Sequence, residues 1–170
     1  MKTNYEARAK KFAKILAKRF EGCVTYGDFM DAIQEYDDTH VIPLNYTHGV
    51  SRIVILRADY VIKFDYQTEN SFWADGRAGN CESEERLYKF AVSEGMEHLL
   101  AKTTVLHMNG LTLSIMPRIP KVGSDDRWWG NYCTAEECNW LYRNVGDIHE
   151  YNVGYRHGKT CVIDYAWIGD

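Results

Sequence analysis

The spacing of apolar residues predicts that the chain begins with two helices. In residues 5–20, apolar side chains recur at every third or fourth position and lysines fill positions between them, as in an amphipathic helix. The recurring residues are Phe12, Ile15, Leu16 and Phe20. Thr25 and Asp28 have the spacing of a capping box, which predicts a second helix from Tyr26 onward. Pro43 closes this helical part, because proline lacks the backbone N–H that a helix needs.

From residue 41 the pattern changes: Val41-Ile42 opens extended chain, and beyond it the apolar positions alternate with a period of two, which is typical of β strands. The predicted strands are 52–56, 60–66, 103–108 and 111–116. A short connector separates the first two, so we expect them to pair as a hairpin. Asn109-Gly110 separates the other two and suits a two-residue hairpin turn, because both positions accept a positive φ.

Two more helices and a final pair of short strands complete the pattern. The first helix follows a polar loop, and its buried face is marked by Leu87, Phe90, Ala91 and, as a further candidate, Val92. The run Thr134-Ala135-Glu136-Glu137 is a capping box that predicts a helix to about Asn144. Strands are expected near 153–156 and at 160–163. This succession predicts an α+β fold with a small antiparallel sheet.

Composition narrows the class of protein. Of the 170 residues, 45% are hydrophobic and 26% are charged, with only 3 Pro, which favours one packed domain over a disordered chain. The longest aliphatic run, residues 53–56, is far shorter than the roughly 20 residues that a membrane-spanning helix needs. The 5 cysteines are scattered and include no C-x-x-C pair, which suits a reducing compartment. We expect a soluble cytoplasmic protein without membrane association.

Charge is unevenly distributed along the chain. Residues 1–20 contain seven Lys or Arg and one Glu, which gives a charge of +6. Because the net charge of the whole chain is −4, the remaining residues carry −10. An acidic body argues against general nucleic-acid binding. The basic helix is either a solvated face packed on its own domain or a surface for a membrane or an acidic partner, and the first is favoured.

Four polar residues have the chemistry that phosphoryl transfer requires. Lys63 lies within an otherwise apolar strand, which is an unusual place for an ammonium group. Asp147 and Asn152 are five residues apart in a loop, and Asp164 ends a short apolar strand. An ammonium can hold phosphates, carboxylate and amide oxygens can bind Mg²⁺, and a carboxylate can orient the attacking hydroxyl.

These residues resemble the motifs of the protein-kinase-like superfamily. Val61-Ile62-Lys63 is similar to the strand whose lysine binds the α- and β-phosphates of ATP, which implies that Val61 lies against adenine. Glu84 is similar to the helix glutamate that pairs with that lysine, with Glu82 and Glu85 as alternatives. Residues 113–119 resemble the fifth strand and the hinge, whose backbone near Met116 to Arg118 would bind adenine.

The later motifs follow in the order of the family. Gly146-Asp147-Ile148-His149-Glu150-Tyr151-Asn152 resembles the catalytic loop of aminoglycoside and choline kinases, which implies Asp147 as catalytic base and Asn152 as a Mg²⁺ ligand. Residues 162–166 resemble the D-F-G segment, which makes Asp164 the second metal ligand. Where kinases have a three-glycine phosphate loop, residues 47–51 offer only Gly49 for close backbone approach to the phosphates.

The resemblance implies an ATP- and Mg²⁺-dependent phosphotransferase, but it does not identify the phosphate acceptor. The alternative is a catalytically silent kinase-fold protein that binds a host or cellular partner, through the basic helix or the Trp128-Trp129 loop. In length and motif style the chain is also similar to short kinase-like proteins of tailed bacteriophages, which would place it in the host cytoplasm.

The motifs fit a single minimal kinase-like domain spanning 1–170. We expect a helical extension over 1–40, a small-lobe-like part over 41–116, and a reduced C-terminal lobe over 117–170 that contains the hinge, catalytic loop and metal-binding segment. Such a compact variant would use its two N-terminal helices for the packing that a large lobe supplies elsewhere.

Overall fold

The computed structural model describes residues 5–49, 51–67, 80–120, 132–146 and 148–167. These residues form an α+β fold with four α helices and a five-stranded antiparallel sheet. The helices are α1 (Tyr5–Arg19), α2 (Tyr26–Thr39), α3 (Cys81–Ser93) and α4 (Ala135–Asn144). The strands are β1 (Tyr46–His48), β2 (Arg52–Leu56), β3 (Tyr60–Asp65), β4 (Thr104–Met108), β5 (Leu111–Pro117), β6 (Val145–Gly146), β7 (Val153–Arg156), β8 (Lys159–Val162) and β9 (Ala166–Trp167). None of the described helices is long and apolar enough to cross a membrane.

The chain divides into two compact units. The first contains the residues up to Cys81 together with Thr104–Arg118, and the second contains Glu82–Thr103 and the residues from Ile119 onward. The first unit therefore holds α1, α2 and β1 to β5, and the second holds α3 after its first residue, α4 and β6 to β9.

The first unit is a sheet of order β1-β2-β3-β5-β4 packed against α1 and α2. Its aromatic centre consists of Phe20, Phe29 and Phe64, which are fully buried, with Phe20 edge-on to both other rings at 5.3 and 5.1 Å between centroids. Three alanines of α1 are also buried, and their small side chains let the helix approach the sheet closely: Ala9, Ala13 and Ala17. The predicted hairpins, β2–β3 and β4–β5, are confirmed.

Local signals in the sequence predicted the turns and caps correctly. Thr25 and Asp28 form the complete capping box of α2, and the carboxylate of Asp28 accepts the backbone N–H of Thr25 at 2.7 Å. Asn109 and Gly110 have φ values of 51° and 76°, as a two-residue hairpin turn requires. Capping boxes and this turn are decided by neighbouring residues alone, so the sequence contains the whole signal.

Three assignments of apolar residues were wrong. Ile15 and Val92 are 48% and 51% exposed, because the helix faces that pack inward are narrower than the apolar pattern suggests. The first strand begins at Tyr46, whereas the apolar pair Val41-Ile42, which suggested extended chain, is exposed and unpaired with any strand among the described residues.

The second unit is held together by a buried carboxylate at the start of α4. The Glu137 side chain is only 9% exposed and completes the predicted capping box by accepting the Thr134 N–H at 2.7 Å. Its other oxygen lies 2.6 Å from His98 Nε2 and 3.1 Å from Lys159 Nζ. One side chain thus joins the start of α4 to β8 and to the short turn before β4.

These contacts predict an acid-sensitive component of stability. Burial by itself would raise the pKa of Glu137, but the Thr134 N–H, His98 and Lys159 lower it from 4.5 to about 2. A carboxyl whose pKa is lower in the folded than in the unfolded state contributes its full stabilisation at a pH above the unfolded-state pKa. This contribution disappears as the pH falls to the folded-state pKa. Urea unfolding should therefore show that the stability difference between wild type and Glu137→Gln shrinks between pH 4.5 and about 2.

The control for this measurement is Glu35→Gln, which changes an exposed glutamate on α2. The Glu137→Gln difference from wild type should shrink by more than the Glu35→Gln difference over the same pH range. A Glu137→Gln difference that shrinks no more than that of the control would contradict the assigned contacts.

Candidate functional site

Lys63 lies in the middle of the sheet of the first unit. On β3 it is paired with Val54 of β2 on one side and Ser114 of β5 on the other, and it is only 3% exposed. An edge position, from which a lysine could extend into solvent, is therefore excluded. Val61, two residues earlier, faces the same side of the strand and is directly opposite Met116.

The backbone of the predicted hinge is already partly used inside the sheet. The N–H of Arg118 donates to the carbonyl of Asp59 at 3.0 Å. Hydrogen-bonded pairs recur at every second residue of an antiparallel ladder, so Met116 and Val61 form the preceding such pair. Pro117 has no N–H, and its carbonyl points to the side of β5 that is away from β3. On that side β4 reaches only as far as Thr104, opposite Ile115, and so it does not cover Pro117. The N–H groups of Met116 and Arg118 thus face β3.

Gly49 follows β1 in the connection to β2. Its N–H donates to the carbonyl of Arg52 at 3.0 Å, and its own carbonyl accepts the hydroxyl of Tyr66 at 2.6 Å. Among the described residues, apart from its chain neighbours, no heavy atom lies within 4 Å of a Cβ placed on Gly49. The glycine is therefore held by its backbone hydrogen bonds rather than by packing against these residues.

In the second unit, two hydrogen bonds flank Asp164. The N–H of Ile163 donates to the carbonyl of Asn152 at 2.8 Å, and the N–H of Tyr165 donates to Oε1 of Glu84 at 3.3 Å. The structure thus brings together three residues predicted separately: Glu84, Asn152 and Asp164. It places Asp164 on a short segment that is fixed on both sides.

The three candidate glutamates of α3 have different environments. Glu84 is fully buried, Glu82 is exposed, and Glu85 is partly buried and forms an ion pair with the exposed Lys89 at 2.7 Å. A fully buried carboxylate requires strong polar partners. Of the three, Glu84 therefore has the environment of a functional or structural carboxylate.

Tyr165, which follows Asp164, anchors the same segment by its side chain. Its ring is 1% exposed, and its hydroxyl donates to the carbonyl of Ala101 at 2.8 Å and lies 2.8 Å from the hydroxyl of Thr103. Burial, together with the charge of Glu84, raises the pKa of Tyr165 well above its usual range. The hydroxyl therefore stays protonated and remains a donor to Ala101.

His149 positions Asn152 in the predicted catalytic loop. Nδ1 of His149 accepts the N–H of Tyr151 at 3.2 Å. Nε2 of the same ring lies 2.9 Å from the amide nitrogen Nδ2 of Asn152. These two contacts favour a structural role for His149 over a phosphate-binding one.

Asp147 and the Trp128-Trp129 loop lie outside the described residues. The backbone just before Asp147 is described: Gly146 of β6 is paired with Ala166 of β9. The loop that carries Asp147 therefore starts beside the segment that carries Asp164.

No protein-family model matches the chain, and no curated protein matches it significantly in sequence. Two solved structures resemble it in fold. One is the Legionella pneumophila Lpg2603 kinase bound to IP6, with 12% identity and a TM-score of 0.49 over 75% of this chain and 50% of that one. The other is WbdD, crystallised with a kinase inhibitor, with 14% identity and a TM-score of 0.39 over 72% of this chain and 32% of that one. The chain spans half or less of the length of both.

The sequence reasoning missed Gly154, which follows Asn152 on β7. A Cβ on Gly154 would lie 2.7 Å from Cγ2 of Ile119 and 2.7 Å from the carbonyl oxygen of Pro120. The next residue, Tyr155, donates its N–H to the same carbonyl at 2.9 Å. The segment after the hinge is thus packed directly against the strand that leaves the catalytic loop, and only glycine fits there.

Gly154→Ala should therefore destabilise the second unit by about 1–3 kcal/mol, because β7 must move away from Pro120 to make room for the methyl group. Thermal and urea unfolding would measure the loss. Gly27→Ala in α2 is the matched control, since its added methyl would meet nothing closer than 3.7 Å. Equal effects of the two substitutions would show that the contact with Pro120 is looser than described.

Tyr165→Phe should destabilise the fold by about 1–2 kcal/mol, because it leaves the buried Ala101 carbonyl and Thr103 hydroxyl without this partner. Tyr151→Phe changes a side chain that is 67% exposed and serves as the control, with no expected loss. Urea unfolding at neutral pH compares the two. A silent Tyr165→Phe would argue against the anchoring role of the hydroxyl.

Proposed function

We propose that the chain is an ATP- and Mg²⁺-dependent phosphotransferase of the protein-kinase-like type. The observation that carries the proposal is the fixing of Asp164 between the Asn152 carbonyl and the Glu84 carboxylate. A metal ligand held in place by its neighbours needs no rearrangement when the metal and phosphates arrive. The acceptor is a hydroxyl group of unassigned identity.

Each candidate residue has a role in this proposal. Lys63 neutralises the α- and β-phosphates, Asp147 orients the acceptor hydroxyl, and Glu84 pairs with Lys63. Val61 provides an apolar contact for adenine, and Gly49 lets the backbone approach the phosphates. Because the N–H groups of Met116 and Arg118 face β3, we propose that the carbonyl of Pro117 replaces them in contacting the adenine amino group.

The donor set fits Mg²⁺. Asn152 and Asp164 offer amide and carboxylate oxygens, and the segments that carry them are joined by the hydrogen bond from the Ile163 N–H to the Asn152 carbonyl. Among the described residues no group of three or more His, Cys, Asp or Glu side chains could hold a metal alone. Mg²⁺ needs only one or two protein oxygens when phosphates and waters complete its shell.

A partner-binding protein without turnover is the second candidate, and α1 favours it. Five exposed cations of this helix form no ion pair with any described residue: Lys10, Lys11, Lys14, Lys18 and Arg19. Arg8, by contrast, pairs with Asp59. A solvated basic face of this kind is available to an acidic partner.

Thermal unfolding with and without Mg·ATP separates the two candidates. A ligand present at ten times its dissociation constant stabilises the folded state by about 1.4 kcal/mol. Mg·ATP should therefore raise the melting temperature of the wild type, the effect should require Mg²⁺, and Asp164→Asn should abolish it. Asp31→Asn, an exposed substitution on α2 with the same charge change, should respond like the wild type.

Phosphate release or transfer, measured on the same samples, completes the test. Stabilisation without any turnover would favour the partner-binding candidate. The absence of stabilisation at millimolar Mg·ATP would contradict the phosphotransferase proposal.

A further inference from the structure

A groove of about 670 Å³ runs between the end of α3 and α4, within the second unit. Its floor contains Phe90 and Trp140, whose rings are stacked with centroids 6.1 Å apart and planes inclined by 19°. Trp140 is 8% exposed, whereas the charged residues that line the groove are exposed: Glu94 just after α3, and Glu136 and Arg143 on α4. None of these residues belongs to the proposed phosphotransferase site.

The charged residues on the rim have no partners within the described part of the chain. Glu136 and Arg143 form no ion pair or hydrogen bond there. They lie on one face of α4, two turns and about 10 Å apart along the helix axis, so they cannot pair with each other. The α4 face therefore presents one negative and one positive charge on either side of Asn139 and Trp140, and Glu94 adds a negative charge on the α3 side of the groove.

We propose that this face of α4 binds a second copy of the chain across a two-fold axis near Asn139 and Trp140. In an antiparallel pair of α4 helices, Glu136 of each copy faces Arg143 of the other, and Asn139 of each faces Trp140 of the other. A two-fold contact uses the same patch on both molecules, and so it requires a self-complementary patch. The order of charges on α4 meets this requirement.

The mixed charge of the face argues for a second copy over other partners. An anionic membrane or a purely acidic partner would be repelled by Glu136, and a purely basic partner would be repelled by Arg143. The ten-residue α4 offers a contact shorter than standard stable interfaces. The dimer should therefore be weak, and salt should weaken it further, because its ion pairs lie at the edge of the contact.

Sedimentation equilibrium at low salt tests the proposal over a range of protein concentrations. The average mass of the wild type should rise with concentration towards twice the monomer mass. Glu136→Arg and Arg143→Glu each place like charges opposite one another, and each should lower the association constant by about ten-fold or more. Far-UV circular dichroism checks that both variants are folded.

Mixing the two variants is the decisive step. One variant then carries only positive charges at the two positions and the other only negative charges, so an equimolar mixture should associate at least as well as the wild type. Glu35→Arg on α2 changes the net charge by the same amount as Glu136→Arg, and this variant should self-associate like the wild type. A wild type that stays monomeric, or a mixture that stays as dissociated as its components, would overturn the proposal.

Discussion

The hydrogen bond from the Tyr165 backbone to the buried carboxylate of Glu84 is the interaction on which the candidate site depends. A fully buried carboxylate is costly unless polar groups compensate it, so Glu84 strongly favours any arrangement that brings an N–H to its oxygen. The residue that supplies the N–H follows Asp164 directly. Burial of one charge on α3 thereby fixes the position of a second carboxylate far away in sequence.

The surrounding contacts reinforce this arrangement. The Tyr165 hydroxyl is tied to Ala101 and Thr103, and the Ile163 N–H is tied to Asn152. Both contacts lie within the second unit, so the positions of Asn152 and Asp164 follow from one small core. The proposed chemistry then requires positioning and charge neutralisation rather than a large conformational change.

The sequence allowed prediction of most elements and singled out Lys63 as a lysine within an apolar strand, because strand alternation, capping boxes and the Asn109-Gly110 turn are local signals. It could not distinguish Glu84 from Glu82 and Glu85, since all three lie in the first turns of one helix and only tertiary packing selects the buried one. The two-residue strands β6 and β9 are too short to produce an alternating pattern. Gly154 was missed for a related reason, because its need for glycine comes from Pro120, far away in sequence.

Amide hydrogen exchange at Tyr165 tests the central claim most directly, since it reports on the hydrogen bond to Glu84 without requiring nucleotide or turnover. Glu84→Gln keeps an acceptor oxygen and should preserve the protection, whereas Glu84→Ala should reduce it by about five-fold or more relative to the Ile163 amide. Tyr165 protection that stays the same in Glu84→Ala, or that is absent in the wild type, would contradict the account.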